Sequence, residues 1–320
     1  MIYLPLIAPA FVALVARAAA DRLPPATATW LLTAAALILA CSSSAVLGLL
    51  TFAALVRLPF VAEAGDLSVP VFAVGDTVPL PVAIAAAAAL ALVAVTAGRA
   101  VLRRGAAFAA AYRHARSLPG AGQVVVTEDA AADAYTVPGW PCRIVITLGM
   151  LRALSARERE VLLAHERAHV AASHFLFTSA ARLAAVANPL LRPVADQVAY
   201  TVERWADERA AAQAGDRRLA ARAIAHAALA TRAAPPDRTR TMTALGMVTV
   251  LRDAGPVPRR VAAMLAPALP SPLSLLRDPG SRQPLLLAAA ILLLVTLSGA
   301  ATLDAATALH HLVELAQGEH

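Results

Sequence analysis

The sequence predicts a mainly α-helical protein of the α+β class, in which four transmembrane helices carry one small domain with a short β-sheet. The chain of 320 residues is 59% hydrophobic and only 15% charged, a balance that is unusual for a soluble protein. Its apolar residues are concentrated in four stretches of about the length needed to cross a bilayer. A longer and more polar segment between the third and fourth stretches is predicted to form the domain.

The four apolar stretches divide the chain into three parts. Residues 1–99 hold three predicted spans, residues 100–282 form the predicted domain, and residues 283–320 hold the fourth span and a short tail. The spans are expected at about 2–20, 30–56, 80–97 and 284–303. A cleaved signal is the alternative for the first span, but no basic residue precedes its apolar core. The third span is rich in alanine, and a buried soluble helix is its alternative.

Loop charges predict the orientation of the spans. Arginines border the domain on both sides, whereas the loop between the second and third spans carries Glu63, Asp66 and Asp76 against Arg57. Because basic loops remain in the cytoplasm, we expect a cytoplasmic domain, an external tail and a location in the cell membrane. The net charge of +7 arises from arginines beside the spans, where they meet anionic lipid head groups. No nucleic-acid-binding motif accompanies them, so the bilayer is the expected partner.

Two short strands predict the β-sheet. Gln123–Thr127 and Arg143–Thr147 are rich in β-branched residues, and Pro138-Gly139 between them marks a turn. The rest of the domain is predicted to be helical. Phe175–Val198 is apolar and broken at Asn188-Pro189. We expect it to form a helical hairpin that leans on the membrane, since a fifth span would place the tail inside.

A pair of histidines with metal-binding spacing lies in the domain. His165 and His169 are separated by one helical turn and therefore share one face of a helix, where they can hold a single zinc ion. Glu166 can reach a metal-bound water as general base. Ser155 and Glu158 form a capping box that starts this helix. The alternative is a solvated helix face without a metal.

A second motif, which is acidic, is the candidate source of the third protein ligand that a catalytic zinc ion requires. Glu203 and Asp207 are one turn apart on another predicted helix. We expect Glu203 to bind one zinc ion per chain, and Asp207 to hydrogen-bond a ligand imidazole and fix its tautomer. Glu208 is the rival ligand. Taken alone, the three acidic residues would indicate a solvated helix with arginine neighbours.

The two motifs together resemble those of the gluzincin metallopeptidases. Ala134–Gly139, Arg143–Thr147 and Leu154–Glu160 extend the resemblance to membrane metallopeptidases of the BlaR/MecR type, with HtpX-like membrane proteases as relatives. The resemblance covers about residues 122–207. It implies zinc binding by the two histidines and the glutamate of the second motif, which are His165, His169 and Glu203, and it implies Glu166 as base. BlaR/MecR sensors carry a penicillin-binding domain after the last span, which is expected to be absent here.

The expected function is that of a membrane-integral zinc endopeptidase that cleaves a protein or peptide substrate on the cytoplasmic face. The resemblance implies a role in signal transduction, through cleavage of a cytosolic transcriptional repressor. A stimulus would then enter through the outer loop 58–79, through the helix bundle or through a partner protein. An HtpX-like protease that removes damaged membrane proteins is one alternative. A catalytically inert signalling scaffold is another.

Three further expectations concern the surroundings of the site. An edge strand commonly receives the substrate in gluzincin-like sites, so Ile144–Thr147 is a candidate substrate ledge, with an ordinary sheet strand as the alternative. His174 and His226 are candidates for stabilising an oxyanion, although packed or solvated histidines are the simpler interpretation. Residues 233–240 and 254–279 contain several prolines and are predicted to be linkers or lids.

Overall fold

The computed structural model describes most of the chain and is predominantly helical. The described residues are 2–56, 58, 61, 78–120, 122–139, 142–233, 249–250, 257–269 and 282–318. Its elements in chain order are α1 (Leu4–Arg22), α2 (Pro25–Leu55), α3 (Leu80–Ser117), β1 (Val124–Thr127), β2 (Ala134–Val137), β3 (Arg143–Thr147), α4 (Leu148–Ala153), α5 (Ala156–Ala171), α6 (His174–Ala187), α7 (Arg192–Ala214), α8 (Arg217–Ala233), β4 (Thr249–Val250), α9 (Val257–Leu265) and α10 (Arg282–Gly318). The predicted fold class is confirmed.

Four of the described helices, α1, α2, α3 and α10, are long and apolar enough to cross a membrane. They coincide with the four predicted apolar stretches. All four extend beyond the predicted limits. The extension is largest for α3, which continues from its apolar half to Ser117, and for α10, which continues to Gly318. The α5–α6 pair also passes as apolar but is bent by 61°. Because buried ionisable groups lie on α5, we do not regard the pair as a span.

The hairpin predicted around Asn188-Pro189 is present and packs inside the helix bundle. It comprises α6, a short 3-10 turn at Pro189–Leu191, and α7. Buried apolar side chains of both helices form one core with α1, α2 and α10. Thr29 of α2 donates to Thr201 of α7 at 2.9 Å, and Asn188 at the tip donates to Ser43 of α2 at 3.1 Å. These two contacts are about 20 Å apart along α2, so the arm of the hairpin that contains α7 runs antiparallel to α2 over that length.

The sheet has the strand order β1-β3-β2-β4. The two predicted strands are β1 and β3, which pair in parallel, while β2 and β4 were not predicted and pair antiparallel to their neighbours. The prediction of Ile144–Thr147 as a substrate ledge is wrong, because β3 is hydrogen-bonded on both sides. The strand that contacts α5 is β2, whose other edge is paired with β4 at Tyr135 and Thr136.

The proline-containing segments are described only in part. Residues 234–240 and most of the outer loop 58–79 lie outside the described residues. Within 254–279 the described residues 257–265 form the helix α9, which packs against α8 and α7. For these residues the prediction of a linker is wrong. Their apolar face, which includes Met264, packs in the core around α8.

Candidate metal centre

The helix α5 positions the two histidines of the first motif. The predicted capping box is present, since the Ser155 hydroxyl accepts from the Glu158 amide and the Glu158 carboxylate accepts from the Ser155 amide. Leu162 and Val161 bury one face of the helix. His165 and His169, one turn apart, are 5% and 3% exposed. Local sequence thus sets the start of the helix, and packing turns both imidazoles inward.

The structure brings His165, His169 and Glu203 together. The two Nε2 atoms are 3.0 Å apart, and the Glu203 carboxylate lies 3.4 Å from His165 Nε2 and 3.5 Å from His169 Nε2. A tetrahedral zinc ion at roughly 2.0–2.2 Å from its ligands holds them about 3.3 Å from one another. The three side chains therefore have the spacing of three corners of a zinc tetrahedron, and their donor set of two imidazoles and one carboxylate fits zinc.

The second nitrogen of each imidazole is also held. His165 Nδ1 lies 3.0 Å from the Asp207 carboxylate, which can only accept, so Nδ1 carries a proton and Nε2 is the nitrogen left to bind an ion. His169 Nδ1 lies 2.9 Å from His174 Nδ1. Burial lowers the pKa of His174 to about 4, so this ring is neutral and can accept from His169. Both Nε2 atoms are thereby directed to the same point.

A strained turn places His174 beside His169. Ser173, between α5 and α6, has φ of 50°, in the left-handed region that non-glycine residues rarely adopt. The turn bends the chain so that the His174 ring packs against His169 and Trp205. Strain of this kind persists where the surroundings enforce it, often at functional sites. His174 therefore orients a candidate ligand, and the structure does not place it as a free oxyanion donor.

Glu166 is held by a residue that the sequence did not single out. The hydroxyl of Thr136 on β2 donates to the Glu166 carboxylate at 2.8 Å. Glu166 is 1% exposed, and burial raises its pKa to about 7 although the Thr136 hydrogen bond and His165 oppose this shift. A carboxylate with a pKa in this range is suited to take a proton near neutral pH.

Arg260 on α9 is a second residue that sequence reasoning missed. Its guanidinium is 0% exposed and donates to both carboxylate oxygens of Asp207, from Nε at 2.7 Å and from Nη2 at 2.5 Å. Its Nη1 lies 3.1 Å from Glu203. Burial alone would raise the pKa values of Asp207 and Glu203, but the Arg260 charge and the neighbouring histidines lower both. Arg260 thus keeps two buried carboxylates ionised.

Two of the candidates lie away from the cluster. Glu208 forms an ion pair with Arg217 and is partly exposed, so it does not face the two histidines. His226 is about half exposed and pairs with Glu158 at the start of α5, at 2.8 Å. Neither residue contacts the described members of the cluster. The structure therefore favours Glu203 over Glu208 and leaves His226 as a residue that supports the helix cap.

Replacing Arg260 by methionine is expected to lower the free energy of unfolding by about 3–5 kcal/mol, because Asp207 would be left buried and unpaired. The double variant Asp207→Asn/Arg260→Met should recover much of this loss, since both charges are removed. Arg259→Met is the matched control on the same helix. Arg259 pairs with the partly exposed Asp21, so its loss should cost much less. Equal losses for Arg259→Met and Arg260→Met in urea unfolding would contradict this assignment.

Residues 99–198 match the family model of Peptidase family M48. The match includes α5 with His165, Glu166 and His169, and it ends before Glu203, Asp207 and Arg260, whose placement comes from the structure. No curated protein and no solved structure matches the chain. The match supports a metallopeptidase of the M48 family and does not bear on the BlaR/MecR subtype.

Proposed function

We propose that this chain is a membrane-integral zinc endopeptidase, a reading supported by the match of residues 99–198 to the M48 metallopeptidases. The observation that carries the proposal is the buried triangle of His165, His169 and Glu203, in which both imidazoles have their other nitrogen fixed. The four long apolar helices support the membrane location.

The residues of the chain have separate parts in the proposed hydrolysis. His165, His169 and Glu203 would hold the ion, which when bound polarises a peptide carbonyl and acidifies a water. Glu166, oriented by Thr136, takes the proton of the attacking water and later delivers it to the leaving amine. Asp207 and Arg260 keep His165 and Glu203 in the orientation and charge state that the ion requires.

The test is proteolysis by the full chain, purified in detergent, with an unfolded protein as substrate. We expect cleavage when the protein carries one zinc ion per chain. Cleavage should stop on chelation and return with added zinc. A protein that is folded and loaded with zinc but cleaves no substrate, including peptides from its own membrane fraction, would support the alternative of an inert scaffold.

The proposed biological role is regulatory proteolysis on the cytoplasmic face, such as cleavage of a transcriptional repressor, as the BlaR/MecR resemblance implies. Quality control of membrane proteins in the manner of HtpX-like proteases is the alternative. Comparing the proteomes of cells with the active chain and with a Glu166→Gln chain separates the two. One stabilised cytosolic regulator supports the first role, whereas many stabilised membrane proteins support the second.

The cytoplasmic orientation rests on the loop charges and has its own test. A single cysteine placed at Gly215, between α7 and α8, should resist labelling by a membrane-impermeant maleimide in intact cells, whereas one placed at Gly65 should react. The background is a chain whose Cys41 and Cys142 are replaced by serine. The reverse pattern would place the peptidase domain outside and rule out a cytosolic repressor as substrate.

A further inference from the structure

A large cavity lies apart from the candidate metal centre, between the spans and the α6–α7 hairpin. It has a volume of about 860 Å³ and is bounded by α1, α2, α3, α6 and α7. Five arginines line it: Arg99, Arg103 and Arg104 of α3, Arg182 of α6, and Arg192 of α7. The carboxylate among the described lining residues is that of Asp196. Five positive charges therefore face one negative charge.

These arginines differ from three other arginines of the domain in having no carboxylate partner among the described residues. Arg217, Arg259 and Arg260 each form an ion pair with a carboxylate. Within the described part of the chain, no carboxylate lies within 4 Å of the five guanidinium groups in the cavity. Arg104 and Arg182 instead repel each other across it. Arg104 and Arg182 are half-buried and the other three arginines are exposed. Like charges gathered in one place favour the binding of an anion.

The other end of the cavity is apolar. It is lined by Leu6 of α1, Leu47 of α2, and Ala89, Leu92 and Val93 of α3. Along α3, Leu92 and Arg103 are about 16 Å apart, so the cavity follows the helix from its apolar half to its basic half. Leu92 is 65% exposed, which makes the apolar end continuous with the surface that faces lipid. The arginines begin where the predicted span ends.

The wall opposite α3 is fixed. Asn188 at the tip of the hairpin donates to Ser43 of α2, and both side chains are buried and line the cavity. This hydrogen bond anchors the tip, from which α6 carries Arg182 and α7 carries Arg192 toward the basic end. The anchored tip therefore fixes the two ends of the cavity relative to each other, with alkyl groups at one end and guanidinium groups at the other.

We propose that this cavity binds one anionic phospholipid, with the phosphate among the arginines and an acyl chain along the apolar wall. A phosphate group matches the fork geometry of guanidinium and the excess of positive charge. Basic pockets between membrane helices bind anionic head groups in this way. A free phosphate or an acidic peptide satisfies the basic end alone and makes no use of the apolar end.

The experiment measures lipid retention by the full purified chain in mixed micelles, using native mass spectrometry. Phosphatidylglycerol and phosphatidylcholine with the same acyl chains are offered in equal amounts. We expect one retained phosphatidylglycerol per chain and little phosphatidylcholine. The Arg104→Gln/Arg182→Gln variant should bind phosphatidylglycerol about 30-fold more weakly, at about fivefold for each arginine. Arg113→Gln/Arg116→Gln, with the same loss of charge on α3 outside the cavity, should bind it as the unmodified chain does.

Two further measurements distinguish the possible sources of the anion and control for misfolding of the arginine variant. Ala89→Phe fills the apolar end without changing charge and should also weaken the retention of phosphatidylglycerol. This result holds even if the double arginine variant fails to fold. Millimolar inorganic phosphate or an acidic peptide should fail to displace the lipid. Equal retention of the two lipids, equal effects of the two arginine pairs, or displacement by phosphate would each overturn the proposal. Retention does not depend on proteolysis, so its failure leaves the proposed peptidase function untouched.

Discussion

Glu166→Gln is expected to reduce peptide cleavage by about 10²–10⁴-fold while the chain still binds one zinc ion. The carboxamide keeps the size of the side chain and can still accept from Thr136, so the site should remain packed. It has no basic oxygen with which to take the proton of the attacking water. Glu166 is not among the three side chains that form the ion-binding triangle, so zinc content should not change. Cleavage and zinc content are measured on the same preparation.

The matched control is Glu160→Gln, which makes the same change on an exposed side of α5. This variant should cleave at the rate of the unmodified chain. If Glu166→Gln lost its zinc together with its activity, the carboxylate would have a structural part in the ion site and the role of base would belong elsewhere. Substantial cleavage by a zinc-loaded Glu166→Gln protein would remove Glu166 from the reaction altogether.

The parts of the site that could be predicted from the sequence are those that depend on short-range geometry. The spacing of His165 and His169 places them on one helix face whatever the rest of the fold, and the capping box at Ser155 fixes where that helix begins. The prediction that Glu203 completes the cluster came from the number of ligands that zinc requires, together with a second helical motif. The structure places these three side chains together.

Thr136 and Arg260 could not be predicted because their roles arise only from tertiary packing. Thr136 lies on β2 and meets Glu166 because β2 packs against α5, a contact between residues 30 apart in sequence. Arg260 belongs to a proline-flanked segment that resembled a linker, and its partner Asp207 is 53 residues away. A single arginine in an arginine-rich chain carries no pattern. The available clue to Arg260 was the acidic pair Glu203 and Asp207, because two carboxylates buried together need a cation nearby.

The sheet illustrates a different limit of sequence-based prediction. β1 and β3 were recognisable from their β-branched residues, but their order in the sheet was not. The pairing of β1 with β3 is parallel and places β3 inside the sheet, which is why Ile144–Thr147 has no free edge. By contrast, the hairpin at Asn188-Pro189 was predictable, because proline ends a helix at a defined point and the flanking apolar residues continue on both sides.

A graded series of variants on α7 tests the ion site. Glu203→Gln is expected to weaken zinc binding by more than about 100-fold, because it removes a charged ligand. Asp207→Asn should weaken it by about 10–100-fold, the range typical of a residue that orients a ligand histidine. Glu208→Gln should leave it unchanged, since Glu208 pairs with Arg217. Zinc affinity is measured by competition with a chromophoric chelator, and thermal unfolding checks that each variant is folded.

The order of the three effects is the decisive result, because it separates direct binding from orientation on a single helix. Glu203 contacts both histidines of the triangle, whereas Asp207 contacts only one of them, His165, and acts on the ion through that ring. Its loss should therefore disturb one ligand and spare the other. If Glu208→Gln released zinc while Glu203→Gln retained it, α7 would have to be rotated by roughly 140°, because five residues separate the two side chains on a helix of 3.6 residues per turn. The Arg260 ion pairs with Glu203 and Asp207 would then be lost, since they hold α7 in its present orientation.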